Sequence, residues 1–182
     1  MNKKTTKLKL VLLDANIVIK AYEIGIWSEL ISKVEIAVPS IVAHTEALFH
    51  SKVLGKIPEE INLPKLILEG KIVELSASDI EMSDLYNKFD RVFLEELHGG
   101  EAEALALIYA GKFLEYKFCT TDKVAIQGLA MIGYSSNGIS MEKLLSSVGL
   151  QKTLSHEFTD LYFQQWLKIG SQRFITKNGL DK

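Results

Sequence analysis

The sequence predicts an α/β fold, three-layered α/β/α, with a mostly parallel sheet of about five strands and a C-terminal helical extension. Two features of the 182 residues lead there. Short aliphatic, β-branched runs alternate with longer stretches of helical periodicity, and Gly, Pro, Ser and Asp punctuate the joins. Strands that alternate with helices run parallel and are covered on both faces.

The elements follow in order. "LKLVLL" at 8–13 is an aliphatic strand, and the stretch from Ile17 to Lys33 reads as helical. "VEIAVP" is a second short strand, after which Pro39-Ser40 opens a helix running toward His50. "EGKIVELSA" supplies a third strand at Ile72–Leu75. Ser78 and Glu81 have capping-box spacing ahead of a long helix to about Leu97. On it Ile80, Leu85, Phe89, Val92 and Phe93 recur at helical spacing and should face the sheet. Gly99-Gly100 breaks the chain, and "EAEALALIYAGKF" resumes as a helix. "YKFCTT" is a fourth strand, followed by a helix from about Lys123 to Met131, a short fifth strand near Tyr134–Ser136 and the helix "SMEKLLSSVG". Residues 1–150 thus form one domain. Residues 151–182 are an appended helix and polar tail, expected to pack through Leu161, Tyr162, Trp166 and Ile169 on the domain or on a second copy.

Composition narrows the class. A net charge of −2 carries no global basic signal for nucleic acid, and only Arg91 and Arg173 are arginines. Local patches remain open as contacts: the basic start Lys3, Lys4, Lys7 and Lys9, and "YFQQWLKIGSQRFITK", whose aromatic spacing fits packing better than base stacking. Cys119, a lone cysteine in a strand, reads as a small buried hydrophobe and fits a reducing cytoplasm. The basic-then-apolar start has the outline of a signal peptide, but Asp14 and Asn16 interrupt it. No apolar run reaches the ~20 residues of a membrane span. A cytoplasmic protein is expected.

The chemistry lies in the carboxylates. In an open α/β sheet, ligands bind outside the carboxyl ends of the strands. Asp14 ends the first strand and Asp122 the fourth; Glu46 lies on the helix after the second strand, and Glu103 near the start of the helix before the fourth. Four carboxylates can therefore meet at one sheet edge, where their repulsion calls for a cation. An all-oxygen set favours Mg²⁺ or Mn²⁺. Each residue alone has a plainer reading. Asp14 and Asp122 are good helix N-caps, Glu46 can face solvent, and Glu101 and Glu103 suit a helix N-terminus. Two apart on a helix, Glu101 and Glu103 point to opposite sides, so one of them at most is a ligand.

Taken together, "LLDANIVI … PSIVAHTEAL … GGEAEALALIYA … CTTD" resembles the PIN-domain family, closest to its prokaryotic single-domain, VapC-like ribonucleases, over about residues 8–150. The resemblance implies an acidic pocket holding Mg²⁺ or Mn²⁺ and hydrolysis of phosphodiesters in single-stranded RNA. Carried over, the metal-binding and catalytic positions are Asp14, Glu46, Glu103 and Asp122. Asn16, Thr121 and Glu101 support them, and Glu101 is expected to point away from Glu103 and be the more exposed. It also implies a homodimer, and the toxin half of a toxin–antitoxin pair with an antitoxin protein as partner. Lys123 stands where many members carry a further acidic residue, which leaves the choice between one metal and two open. Glu103 stands where many relatives use Asp.

Other readings compete. The same fold without catalysis would be an RNA- or partner-binding module. A phosphotransfer protein with Asp14 as nucleophile would need an acid at position 16, where Asn cannot donate a proton, or an acidic pair that "VLLDAN" lacks. The histidines show no His-x-x-x-His pair and read as surface or capping residues, although His50 falls four residues after Glu46 on the expected helix face. His98 has a second reading, at the pocket mouth.

Overall fold

The computed structural model describes residues 8–51, 57–112 and 115–181. In chain order, β1 (Leu8–Leu13) leads into α1 (Ala15–Glu23) and α2 (Trp27–Lys33), then β2 (Val34–Pro39). A widened, π-type turn (Val42–Glu46) follows, then a small antiparallel pair, β3 (Phe49–His50) and β4 (Glu59–Glu60). Next come α3 (Leu63–Leu68), β5 (Val73–Leu75), α4 (Asp79–Tyr86), α5 (Arg91–Glu95) and α6 (Gly99–Tyr109). The chain continues through β6 (Lys117–Cys119), α7 (Lys123–Met131), β7 (Gly138–Ile139), α8 (Met141–Ser147) and α9 (Asp160–Thr176).

The main sheet has the order β5-β2-β1-β6-β7, and every pairing in it is parallel. Alternation within β1 shows both faces covered. Val11 and Leu13 join the core formed with Ile17, Leu30 and Leu144, while Leu12 joins Leu105, Phe118 and Leu129 on the other side. The strand order reverses between β1 and β6, so their carboxyl ends diverge into the crevice where such sheets bind ligands.

Several boundaries differ from the sequence expectation. The helix expected to reach His50 stops at Glu46, and His50 sits buried in β3 instead of on Glu46's helix face. The Ser78–Glu81 capping box is present, but the long helix after it is two helices. Asp90 caps the second by accepting from the Phe93 N–H (2.9 Å), and its own N–H donates to Gly179 O from the tail. Leu85, Phe89 and Phe93 are buried as their spacing implied, whereas Ile80 and Val92 face solvent. The fifth strand is Gly138–Ile139, preceded at 135–137 by a 3₁₀ turn where the strand was expected. Gly99 and Gly100 do not interrupt a helix; they begin one.

The C-terminal helix lies against α7. Phe163 and Gly170 are the residues it buries, not Leu161, which is 73 % exposed. Gly170 is required there, since a Cβ would sit 2.5 Å from Gln127 O. Beyond the helix, Phe89 and Leu180 form a β-bridge that ties the tail to the core. Among the described residues no helix is long and apolar enough to cross a membrane. Cys119 is fully buried, and burial pushes its thiol well above the ordinary range, as a core position does. Lys3, Lys4 and Lys7 lie outside the described residues.

Candidate metal centre

Asp14 closes β1 and caps α1. Its N–H continues the ladder to Cys119 O (3.1 Å), and its Oδ1 accepts from the Ala15 N–H (2.6 Å). Its Oδ2 accepts from the Thr120 hydroxyl at 2.9 Å. The same Thr120 oxygen accepts the Asp122 N–H (3.0 Å), so one side chain pins the ends of β1 and β6 together. Thr121, the expected partner, lines the neighbouring cleft. The hydroxyl that reaches the carboxylate belongs to the residue before it, Thr120, just past the end of β6.

Asp122 caps α7 with one oxygen. Oδ1 accepts from the Val124 and Ala125 N–H groups (2.7 and 2.8 Å), and Oδ2 makes no hydrogen bond among the described residues. Glu46, half-buried at the end of the π-type turn, accepts the Gly100 N–H at 3.0 Å. This seat depends on glycine, because a Cβ on residue 100 would overlap the Glu46 carboxylate and lie 2.7 Å from Val42 Cγ2. A helix N-terminus thus holds Glu46 in place.

The two glutamates of α6 exchange the roles that the sequence suggested. They diverge, as a two-residue spacing requires, but Glu101 faces the site. At the third position of the helix it folds back to accept the His98 N–H (2.9 Å), and the His98 Nδ1 lies 3.1 Å from the same oxygen. It is 4 % exposed, not the more exposed of the pair. Glu103 is equally buried and fully committed elsewhere. It accepts from the Ser40 hydroxyl (2.7 Å), the Ile41 N–H (2.9 Å) and the Ala77 N–H (3.2 Å), tying the chain after β2 and after β5 to α6. Asn16 is exposed on the first turn of α1 and lines the cleft; no hydrogen bond from it to the carboxylates occurs among the described residues.

Electrostatics mark the same group. Burial, outweighing the bonds from Thr120 and Ala15, raises the Asp14 carboxyl to about 6, with repulsion from Glu46 and Asp122 adding to it. Burial, then repulsion from Asp14 and Asp122, raises Glu101 to about 8. Among the described residues no Lys or Arg forms an ion pair with Asp14, Glu46, Glu101 or Asp122. Ligand atoms of His98, Glu101 and Asp122 lie within 4.8 Å of one another, a group that can hold a metal ion. His98, read from sequence as a surface or capping residue, does cap α6 with its backbone, yet its ring also stands at this mouth. The sequence signal was its position three residues before Glu101, the capping-box interval. His44 pairs with Glu74, and His50 lies beside Glu59, both away from this group.

No protein-family model, curated protein or solved structure matches the chain. The chemistry is therefore read from the site's own residues.

Proposed function

We propose that this chain is a PIN-type endoribonuclease that hydrolyses phosphodiester bonds of single-stranded RNA with Mg²⁺ or Mn²⁺. The observation that carries the reading is the group His98, Glu101 and Asp122, whose ligand atoms lie within 4.8 Å of one another, with Asp14 and Glu46 near enough to repel Glu101 and no Lys or Arg ion pair to these carboxylates among the described residues. Carboxylates this close repel one another, and a bound cation relieves that repulsion.

The donor set fits such an ion. Its oxygens suit a hard divalent cation, and the imidazole of His98 suits Mn²⁺ better than Mg²⁺. His98, Glu101 and Asp122 would hold it, with the charge of Asp14 beside them. A bound divalent cation would lower the pKa of a water molecule and offset the charge that builds on the phosphodiester. The protein's own part is positional. Thr120 locks Asp14 against the start of α7, and Gly100 fixes Glu46 where it can orient water. Below about pH 8 Glu101 holds its proton and gives it up as positive charge arrives, so cation binding and proton release are coupled.

The test compares wild type with Asp14→Asn on labelled single-stranded RNA, with Mn²⁺ and with EDTA, after equal folding is confirmed. Cleavage by wild type alone, lost in EDTA, is expected. Equal cleavage by both proteins would mean a contaminating nuclease and end the reading. Metal binding without cleavage across a broad RNA panel would favour the non-catalytic RNA- or partner-binding module. Within the same reading, an antitoxin partner and a homodimer follow from the family resemblance. Growth arrest on expression, relieved by Asp14→Asn, tests the toxin role, and mass in solution tests the dimer.

A further inference from the structure

A cleft of about 500 Å³ opens directly off the acidic centre, between α1, the start of α7 and the segment that leads into α9. Asp122 and Asn16 belong to its wall on the side of the centre, and Lys123, Lys20, Phe158 and Tyr162 line the rest. Lys123 is exposed, and its ammonium makes no ion pair or hydrogen bond among the described residues. Lys20 lies over the Phe158 ring at 5.2 Å from its centre, with Glu23 at 3.4 Å. The Tyr162 ring is half-buried and braced edge-on by His156 (5.5 Å) and against Trp166 (6.1 Å). A rigid aromatic ring thus stands across a small cleft from a free cation, beside a carboxylate of the centre.

We infer that this cleft is a nucleotide subsite built by the C-terminal extension, in which Tyr162 stacks one base of single-stranded RNA and Lys123 takes the adjoining phosphate. The inference rests on the nuclease reading above, because that reading brings RNA to Asp122. Asp122 itself lines this cleft, so a phosphodiester presented at Asp122 has room there for its flanking nucleotide. Base faces stack on aromatic rings whatever their sequence, and lysines neutralise phosphates. Bulk charge does not draw the strand in, for Glu23 and Glu157 also line the cleft. Both are engaged locally, Glu23 by Lys20 and Glu157 by the Ser155 hydroxyl (2.7 Å). The attraction is therefore confined to one phosphate and one base. In this role Lys123 serves substrate where many PIN relatives place an acid.

The experiment is a fluorescence-anisotropy titration of labelled eight-nucleotide oligoadenylate with the full chain, in calcium buffer that keeps the acidic pocket neutralised. Wild type is compared with Tyr162→Leu, Tyr162→Phe and Lys123→Gln, the last on an exposed residue whose loss leaves folding intact. Tyr162→Leu weakens binding about tenfold and Tyr162→Phe retains it, since the ring and not the hydroxyl stacks. Lys123→Gln weakens binding and flattens the salt dependence by about 0.7 in log–log slope, the loss of one phosphate contact. Unchanged affinity and slope in both Tyr162→Leu and Lys123→Gln overturn the subsite, and do so even if wild-type protein cleaves RNA with Mn²⁺. If wild type binds with these dependences yet never cleaves, the subsite stands and the nuclease reading falls.

Discussion

Glu101→Gln separates a site that waits for a cation from a merely buried acid. In wild type the Glu101 carboxyl is held at about 8 against an ordinary 4.5, and Asp14 at about 6 against 3.8. Both folded-state values lie above the unfolded ones, so the native state binds more protons than the unfolded chain between these limits. Stability therefore falls as pH rises, from about pH 4 through about pH 8. At ~1.4 kcal/mol per tenfold, Glu101 alone would cost the metal-free fold at most about 5 kcal/mol at alkaline pH. The neighbouring His98 side chain is 74 % exposed, and solvent screening there brings the expected size down to about 2 kcal/mol. Glutamine preserves shape and still accepts the His98 N–H. In EDTA, urea unfolding should then show the variant near wild type at pH 5 and about 2 kcal/mol more stable at pH 8.5. With Mn²⁺ at pH 8.5 the order should reverse, because wild type gains binding energy that the variant has lost. Calorimetry in buffers of different ionisation enthalpy should record proton release on Mn²⁺ binding by wild type only. A variant no more stable than wild type at pH 8.5, or parallel pH profiles, would refute the argument.

Three further outcomes are expected. Glu103→Ala should cost about 3 kcal/mol, since it strands the Ser40, Ile41 and Ala77 donors, while Mn²⁺ affinity by calorimetry stays within a few-fold of wild type. Gly100→Ala should lower both stability, by about 1–3 kcal/mol, and metal affinity, because the new methyl displaces the Glu46 carboxylate; thermal melts with and without Mn²⁺ read both. His98→Gln should weaken Mn²⁺ about tenfold and Mg²⁺ little, and should remove any nitrogen coupling from the Mn²⁺ electron-spin-echo spectrum.

How much of this was legible before the fold depends on the range of the forces involved. Strand and helix identities for 8–13, 34–39 and 123–131 rest on local periodicity and caps, and the structure places them at those residues. Asp14 and Asp122 were legible for the same reason: each follows a strand, Asp14 directly after β1 and Asp122 three residues past β6, and caps the next helix, so local rules put both at the carboxyl edge. The break at Asp90 was not, because part of what holds it is a backbone bond from a tail some ninety residues later in the chain.

The site divides along the same line. By itself the sequence determined that the α6 glutamates diverge, since a two-residue spacing turns a helical side chain to the opposite side. It held no information on which side faces Asp14 and which faces Ser40, because that is the docking angle of α6 on the sheet. Tertiary structure alone brought Glu101 beside Asp14, Asp122 and Glu46, gave Glu103 its three donors, chose Thr120 over Thr121, seated Glu46 on Gly100 and buried Phe163 while leaving Leu161 in solvent. Each is a contact between segments far apart in the chain, set by the packing of whole elements, which no local pattern encodes.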